Sequence, residues 1–225
     1  MVVINPHIMK KAEMLEYMTG RCKHHHTYLE HPNCFIKEKN RKLRIGILDI
    51  EASNLKANFG MILSYCIKVY GEDEILESTI KEEDLRDGTF DKNVCKQLIT
   101  DLLKFDLIIG YYSTKYDIPF IRSRCLFYRL DFPIYKTIDH KDLYYMVRRL
   151  LSLNRNSLAA ATRFLGIKGK NNVMGQEWQQ AVSCSGEKFK KAMAYILDHN
   201  RRDVIITEKL YDRLKSFDRG IVKSM

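Results

Sequence analysis

Apolar residues dominate positions 43–51 (LRIGILDIE), a run long enough for a central strand buried on both faces. Two more β-rich, aromatic stretches, 60–70 and 74–80, are separated by Gly71-Glu72-Asp73, a hairpin signal. Residues 91–104 (DKNVCKQLITDLLK) have helical periodicity, with Asp91 placed to act as N-cap. LIIGYY (107–112) predicts another buried strand, followed by a helix over about 117–130 and a short strand at 134–139 (IYKTID). Mainly helical sequence continues to the end. Ahead of the first strand, Ile8, Ala12, Leu15 and Met18 recur at helical spacing and predict a short helix over 7–19. Three sequential strands, then strands alternating with helices, then a helical tail describe an α/β protein: a mixed sheet flanked by helices. Residues 1–40 differ in composition and periodicity, so the expected division is a small appendage (1–40) and a main domain (41–225).

Composition adds a partner class. Of the 225 residues, 45% are hydrophobic and 11% aromatic, enough for a sizeable core, which excludes general disorder. The formal charge of +10 points to a polyanion, with nucleic acid ahead of an anionic membrane. No run approaches the ~20 apolar residues that cross a bilayer, and the N-terminus lacks the basic-then-apolar order of a leader. A cytoplasmic, reducing setting is expected. The charge is unevenly spread: net +5 over 1–48, −6 over 49–117 and +11 over 118–225.

The acidic middle contains more than solvated loops. Asp49 and Glu51 close the first strand, and side chains two apart on a strand share a face. In open α/β sheets that end is where sites are usually built. Paired carboxylates repel, and a hard divalent cation relieves the repulsion through oxygen coordination. Alone, D-x-E describes many solvated strand ends. Asp117 follows the strand LIIGYY at a helix start, where an acid also suits the helix dipole. Asp203 lies in a late helix beside Arg201 and Arg202, either of which offers a weak surface pair. The coincidence of three such acids at element ends carries more than any one.

ILDIEAS, GYYSTKYDIPF and HNRRD, in this order and separation, resemble the three motifs of the DEDD 3′–5′ exonucleases, a family with a ribonuclease-H-like fold that includes polymerase proofreading domains. The variant is similar to stand-alone domains of bacteria and their viruses. The resemblance spans roughly residues 41–217 and implies that Asp49, Glu51, Asp117 and Asp203 hold two Mg²⁺ or Mn²⁺ ions. It implies substrate contacts from Asn54, Leu55, Tyr112, Ser113 and Phe120. Three positions depart from the family pattern: Ala52-Ser53-Asn54 precedes Leu55, Tyr112 stands where Asn is often found, and the general base shifts. His199 lies four residues before Asp203, on the same helix face, whereas Asp198 points about 100° away. His199 is therefore the expected base. The implied activity is 3′–5′ exonucleolytic hydrolysis releasing nucleoside monophosphates, with DNA ahead of RNA as substrate and a polymerase or other replication or repair protein as partner. The alternatives are an endonuclease of the same fold, and a catalytically inactive, zinc-containing nucleic-acid-binding module. Asp139, between motifs two and three, is expected to play a structural role at a strand end.

Residues 21–36 (RCKHHHTYLEHPNCFI) concentrate two cysteines and four histidines. Cys22, His24, His31 and Cys34 would form a two-Cys, two-His structural zinc site, with His25 able to replace His24. Lys23, Lys37, Lys39, Arg41 and Lys42 would then face phosphates. Cys66, Cys95, Cys125 and Cys184 sit in or beside apolar stretches and read as thiols. Arg148, Arg149, Arg155, Lys168 and Lys170 are the basic surface candidates, and the loop 166–172 (GIKGKNN) is expected to border the cleft. Phe120 and Phe127 recur at helical spacing, which also suits the core.

Overall fold

The computed structural model describes residues 18–31, 43–135, 137–169, 175–218 and 223–225. The chain divides into two compact units, residues 1–43 and 44–225. Of the helix expected over 7–19, only 18 and 19 are described, and both are helical.

The larger unit is a six-stranded sheet ordered β3-β2-β1-β4-β5-β6 with seven helices among the described residues. β1 (Ile45–Ala52), β2 (Ile62–Val69) and β3 (Ile75–Thr79) form an antiparallel meander. Helices α1 (Glu82–Arg86) and α2 (Lys92–Leu102) lead into β4 (Leu107–Gly110), which pairs parallel to β1. α3 (Asp117–Phe127) connects to β5 (Asp139–Asp142), parallel to β4. α4 (Leu143–Leu150), α5 (Leu158–Phe164), α6 (Gln176–Ser183) and the long α7 (Gly186–Leu214) follow. β6 (Lys223–Ser224) closes the edge antiparallel to β5.

Alternation along β1 sends side chains to two cores. Leu48 and Ile50 join Val94, Leu98 and Ile121, while Ile47 joins Leu143, Val147 and Leu158. α7 serves both: Phe189 and Ile196 pack in the first cluster, Val204 and Leu210 in the second. Residues 199–203 lie at that junction.

Two sequence expectations are corrected. The short strand is 139–142 (DHKD), not 134–139, because its partners are polar. His140 meets the Ser113 hydroxyl at 2.9 Å, Lys141 pairs with Asp218, and Asp142 caps α4 through the Tyr144 N–H at 3.0 Å. Asp139 stands exposed at its start. Asp91 precedes α2 but makes no side-chain cap bond. Instead its fully buried carboxylate accepts from Arg124, Tyr128 and the Ile62 N–H.

Candidate active site

Asp49 and Glu51 project from one face at the C-terminal end of β1. Against β2 the register runs Asp49↔Cys66 and Glu51↔Ser64, then shifts to Ala52↔Ile62, an irregularity just beyond the second acid. α3 begins at Asp117, whose Oδ1 accepts the Ile50 N–H at 3.1 Å, directly between the two β1 acids. Asp117 is only 4% exposed, unlike a solvated helix-start acid. Burial pushes its carboxyl up to about 7, and the charges of Asp142 and Glu51 add to the effect against two backbone N–H bonds.

α7 supplies the remaining groups. Asn200, fully buried, donates Nδ2–H to Asp49 Oδ2 at 3.0 Å, and His199 Nδ1 lies 2.7 Å from Glu51 Oε1. An ionised carboxylate only accepts, so Nδ1 carries the proton and Nε2 is the basic nitrogen. Asp203, one turn further, is 7% exposed. The arginines beside it are engaged elsewhere, Arg201 with Glu77 and Arg202 with Asp198. Trp178 on α6 donates Nε1–H to Glu51 Oε2 at 3.1 Å and stands edge-on to the His199 ring at 5.6 Å.

His199 and Asp203 line a cleft of about 290 Å³ with Gly169, so the described part of the 166–172 loop borders it. Asp198 also reaches this cleft, tied to Arg202 at 2.5 Å. His199, Glu51, Asn54 and Leu55 line a second cleft of about 420 Å³. Leu55 and Tyr116 are shared with a third, of about 560 Å³, bordered by Lys56, Lys115 and Phe127. Leu55 is 78% exposed and Phe127 69%, so Phe127 is a surface residue rather than core. Phe120 is buried and forms part of the floor of that third cleft.

Two residues expected against substrate hold the motif-two turn. Ser113 is fully buried against His140, and a Cβ on Gly110 would sit 2.5 Å from that of Ser113, so the turn requires glycine there. Tyr112 takes a left-handed φ of 61° and remains 44% exposed, its ring 5.0 Å from Tyr144. Asp142 fixes this conformation by accepting the N–H groups of Tyr112 at 2.8 Å and Thr114 at 2.9 Å. Arg148, Arg149, Arg155 and Lys168 are exposed, and Lys170 lies outside the described residues.

Sequence reading missed Asp142, Trp178 and Asn200. The signal for Trp178 was available, since it is the one tryptophan of the chain. Asn200 adjoins the expected base on the same helix.

All four acids offer hard oxygen donors. A buried Asp117 pressed by like charge is a group whose anion a divalent cation stabilises, so the set fits such an ion. Glu51 accepts two protein donors, and a carboxylate has about four lone-pair sites, which leaves room for a cation. The set is open: among the described residues, the one trio of metal-capable side chains with ligand atoms within 4.8 Å of one another is Cys22, His24 and His26. In that trio His26 takes the place expected of His31, and Cys34 lies outside the described residues.

Among curated proteins, none matches the chain. Among solved structures, it is similar to the family B DNA polymerase from the hyperthermophilic archaeon Pyrobaculum calidifontis, with TM-score 0.60 and 19% identity. The match covers 79% of this chain and 25% of that one, and the likeness is one of fold. A model of the family RNase_H_2, of the RNase_H superfamily, matches residues 47–215. That span opens within β1 just ahead of Asp49 and closes beyond α7, taking in all four acids and His199, and the chain belongs to the RNase_H superfamily.

Proposed function

We propose that the protein is a metal-dependent 3′–5′ exonuclease acting on nucleic acid, DNA ahead of RNA, with residues 1–40 an appendage to a nuclease domain over 41–225. The observation that carries this reading is the seating of Asp117 on the Ile50 N–H, which draws a third carboxylate to the strand end bearing Asp49 and Glu51. Asp49, Glu51, Asp117 and Asp203 would hold two Mg²⁺ or Mn²⁺ ions. When bound, such ions activate water and stabilise the leaving oxygen of a phosphodiester.

The protein's own groups do the rest. Asn200 and Trp178 orient Asp49 and Glu51 through their N–H bonds. His199 accepts the water proton at Nε2, its tautomer set by Glu51 at Nδ1. Leu55 and Phe127 offer apolar surface to bases, while Lys56 and Lys115 on the same cleft meet phosphates. The exposed arginines of the basic C-terminal half extend that attraction.

Product size tests the polarity. On a single-stranded oligonucleotide labelled at its 3′-end, the reading expects labelled mononucleotide from the earliest time point, and a 3′-terminal block to stop the reaction. Internal fragments that persist on a blocked substrate would instead establish an endonuclease.

A further inference from the structure

The smaller unit contains a side-chain cluster that the nuclease chemistry does not use. Residues 21–27 fold back on themselves: Arg21 and Thr27 form a bridge, the Cys22 N–H donates to the His26 carbonyl at 2.8 Å, and the His25 N–H donates to the Cys22 carbonyl at 2.7 Å. This closed loop sets Cys22 opposite His26, with His24 in the turn between them. The sulfur and two imidazole nitrogens come within 4.8 Å of one another.

His25 stands outside the set, with a distinct backbone conformation. Its φ is 66°, in the left-handed region, and its carbonyl accepts Arg21 Nη1 at 2.7 Å. Left-handed backbone is uncommon for a non-glycine residue, and His25 is not among the three residues whose ligand atoms converge. Cys22 is 5% exposed in a loop whose histidines are exposed. The segment beyond returns toward the cluster. Thr27 and Glu30 cap one another at 2.7 and 3.3 Å, the His31 N–H donates to the Thr27 carbonyl at 3.1 Å, and the His31 ring lies 5.2 Å from that of His26.

We infer that Cys22, His24 and His26 bind one structural zinc ion, with His31 placed for the fourth position. Thiolate and imidazole donors suit Zn²⁺, whereas Mg²⁺ and Mn²⁺ favour the oxygen donors of the larger unit. Metal binding would add its free energy to the folding of this loop. On binding, the Cys22 thiol loses its proton to solvent and both imidazoles ligate in neutral form. The inferred set differs from Cys22, His24, His31 and Cys34 in requiring His26.

The test uses the full chain without nucleic acid, so its outcome is independent of the nuclease reading. Zinc per chain is measured after equilibration with a competing chelator, and Co²⁺ replaces zinc to report sulfur ligation by its thiolate-to-cobalt absorption. Wild type and His25→Ala are expected to retain one zinc per chain. Cys22→Ser and His26→Ala are expected to bind at least on the order of 10–100-fold more weakly, the loss that removing even an outer contact brings. His26→Cys restores a donor, and its cobalt complex is expected to gain thiolate absorption over wild type, a result that unfolding of His26→Ala cannot mimic. Full zinc retention by His26→Ala, unchanged cobalt absorption in His26→Cys, or no zinc in wild type would overturn the inference.

Discussion

Replacing Asp91 by alanine removes the acceptor of four donors. The Ile62 N–H lies at 2.8 Å, Arg124 Nε at 2.9 Å, Arg124 Nη2 at 2.6 Å and the Tyr128 hydroxyl at 2.7 Å. Asp91 is 0% exposed and Arg124 9%, so the substitution strands a guanidinium that retains the Ala57 carbonyl and the Tyr128 hydroxyl as neutral oxygen partners. Breaking a buried pair from one side costs about 3–5 kcal/mol. Were Asp91 the N-cap that its position suggests, the cost would be about 1 kcal/mol. For a unit of this size each kcal/mol lowers Tm by roughly 2–4 °C, so the buried-pair account predicts a fall of about 6–20 °C. Thermal and urea unfolding followed by circular dichroism separates the two magnitudes. The double variant Asp91→Leu/Arg124→Met should cost less than Asp91→Ala, because it leaves no charge behind. A loss near 1 kcal/mol or below for Asp91→Ala would mean that Asp91 acts as a helix cap and not as the anchor of Arg124. The consequence reaches the site, since Ala57 and Ile62 belong to the stretch after motif one that carries Asn54 and Leu55.

Trp178→Phe keeps an aromatic ring but removes the N–H bond to Glu51. Losing a bond that orients a metal-binding carboxylate costs on the order of 10- to 100-fold in activity, so initial rates on single-stranded DNA should fall by that factor; the same bond contributes about 1.5–3 kcal/mol to stability, a fall in Tm of roughly 3–12 °C; an unaltered rate would exclude Trp178 from positioning Glu51. Burial holds the His140 imidazole down at about 4, so it is neutral when folded and the unfolded chain binds the extra proton between pH 4 and the ordinary 6.5. Stability should therefore rise with pH across that window, by roughly 3 kcal/mol from this group, and urea midpoints of His140→Asn should lose that part of the slope. An identical slope in both proteins would contradict it. Lys56→Ala and Lys115→Ala should each weaken DNA binding across sequences and reduce the salt slope by about 1, measured by fluorescence anisotropy at several salt concentrations.

Where apolar patterning governs, sequence and structure agree closely. LRIGILDIE over 43–51 folds as β1 at 45–52, and the stretches 60–70 and 74–80 fold as β2 at 62–69 and the half-buried β3 at 75–79, because the β-rich apolar pattern that makes them strands lies in the residues themselves. The strand expected over 107–112 stops at Gly110, since Tyr112 turns left-handed under the hold of Asp142. DHKD could not be read as a strand from composition, because what buries it is a serine, an aspartate and two backbone N–H groups remote in sequence. At the site, the spacing of Asp49, Glu51, His199 and Asp203 was legible from strand and helix periodicity. The donors that orient them were not, since Trp178 and Asn200 meet the acids only through tertiary contact. The same limit applies to Asp91, whose cap position conceals a buried partner on α3, and to His26, which meets Cys22 through the fold-back of residues 21–27.

The carboxylate-held metal site is tested most directly by degradation of end-labelled single-stranded DNA by wild type and by Asp49→Ala, with Mg²⁺ or Mn²⁺ supplied or chelated. Wild type should degrade the DNA only with metal present, and Asp49→Ala should show none above background although it still binds DNA. Degradation by Asp49→Ala at the wild-type rate, or by wild type with the metals chelated, would contradict a carboxylate-held metal site.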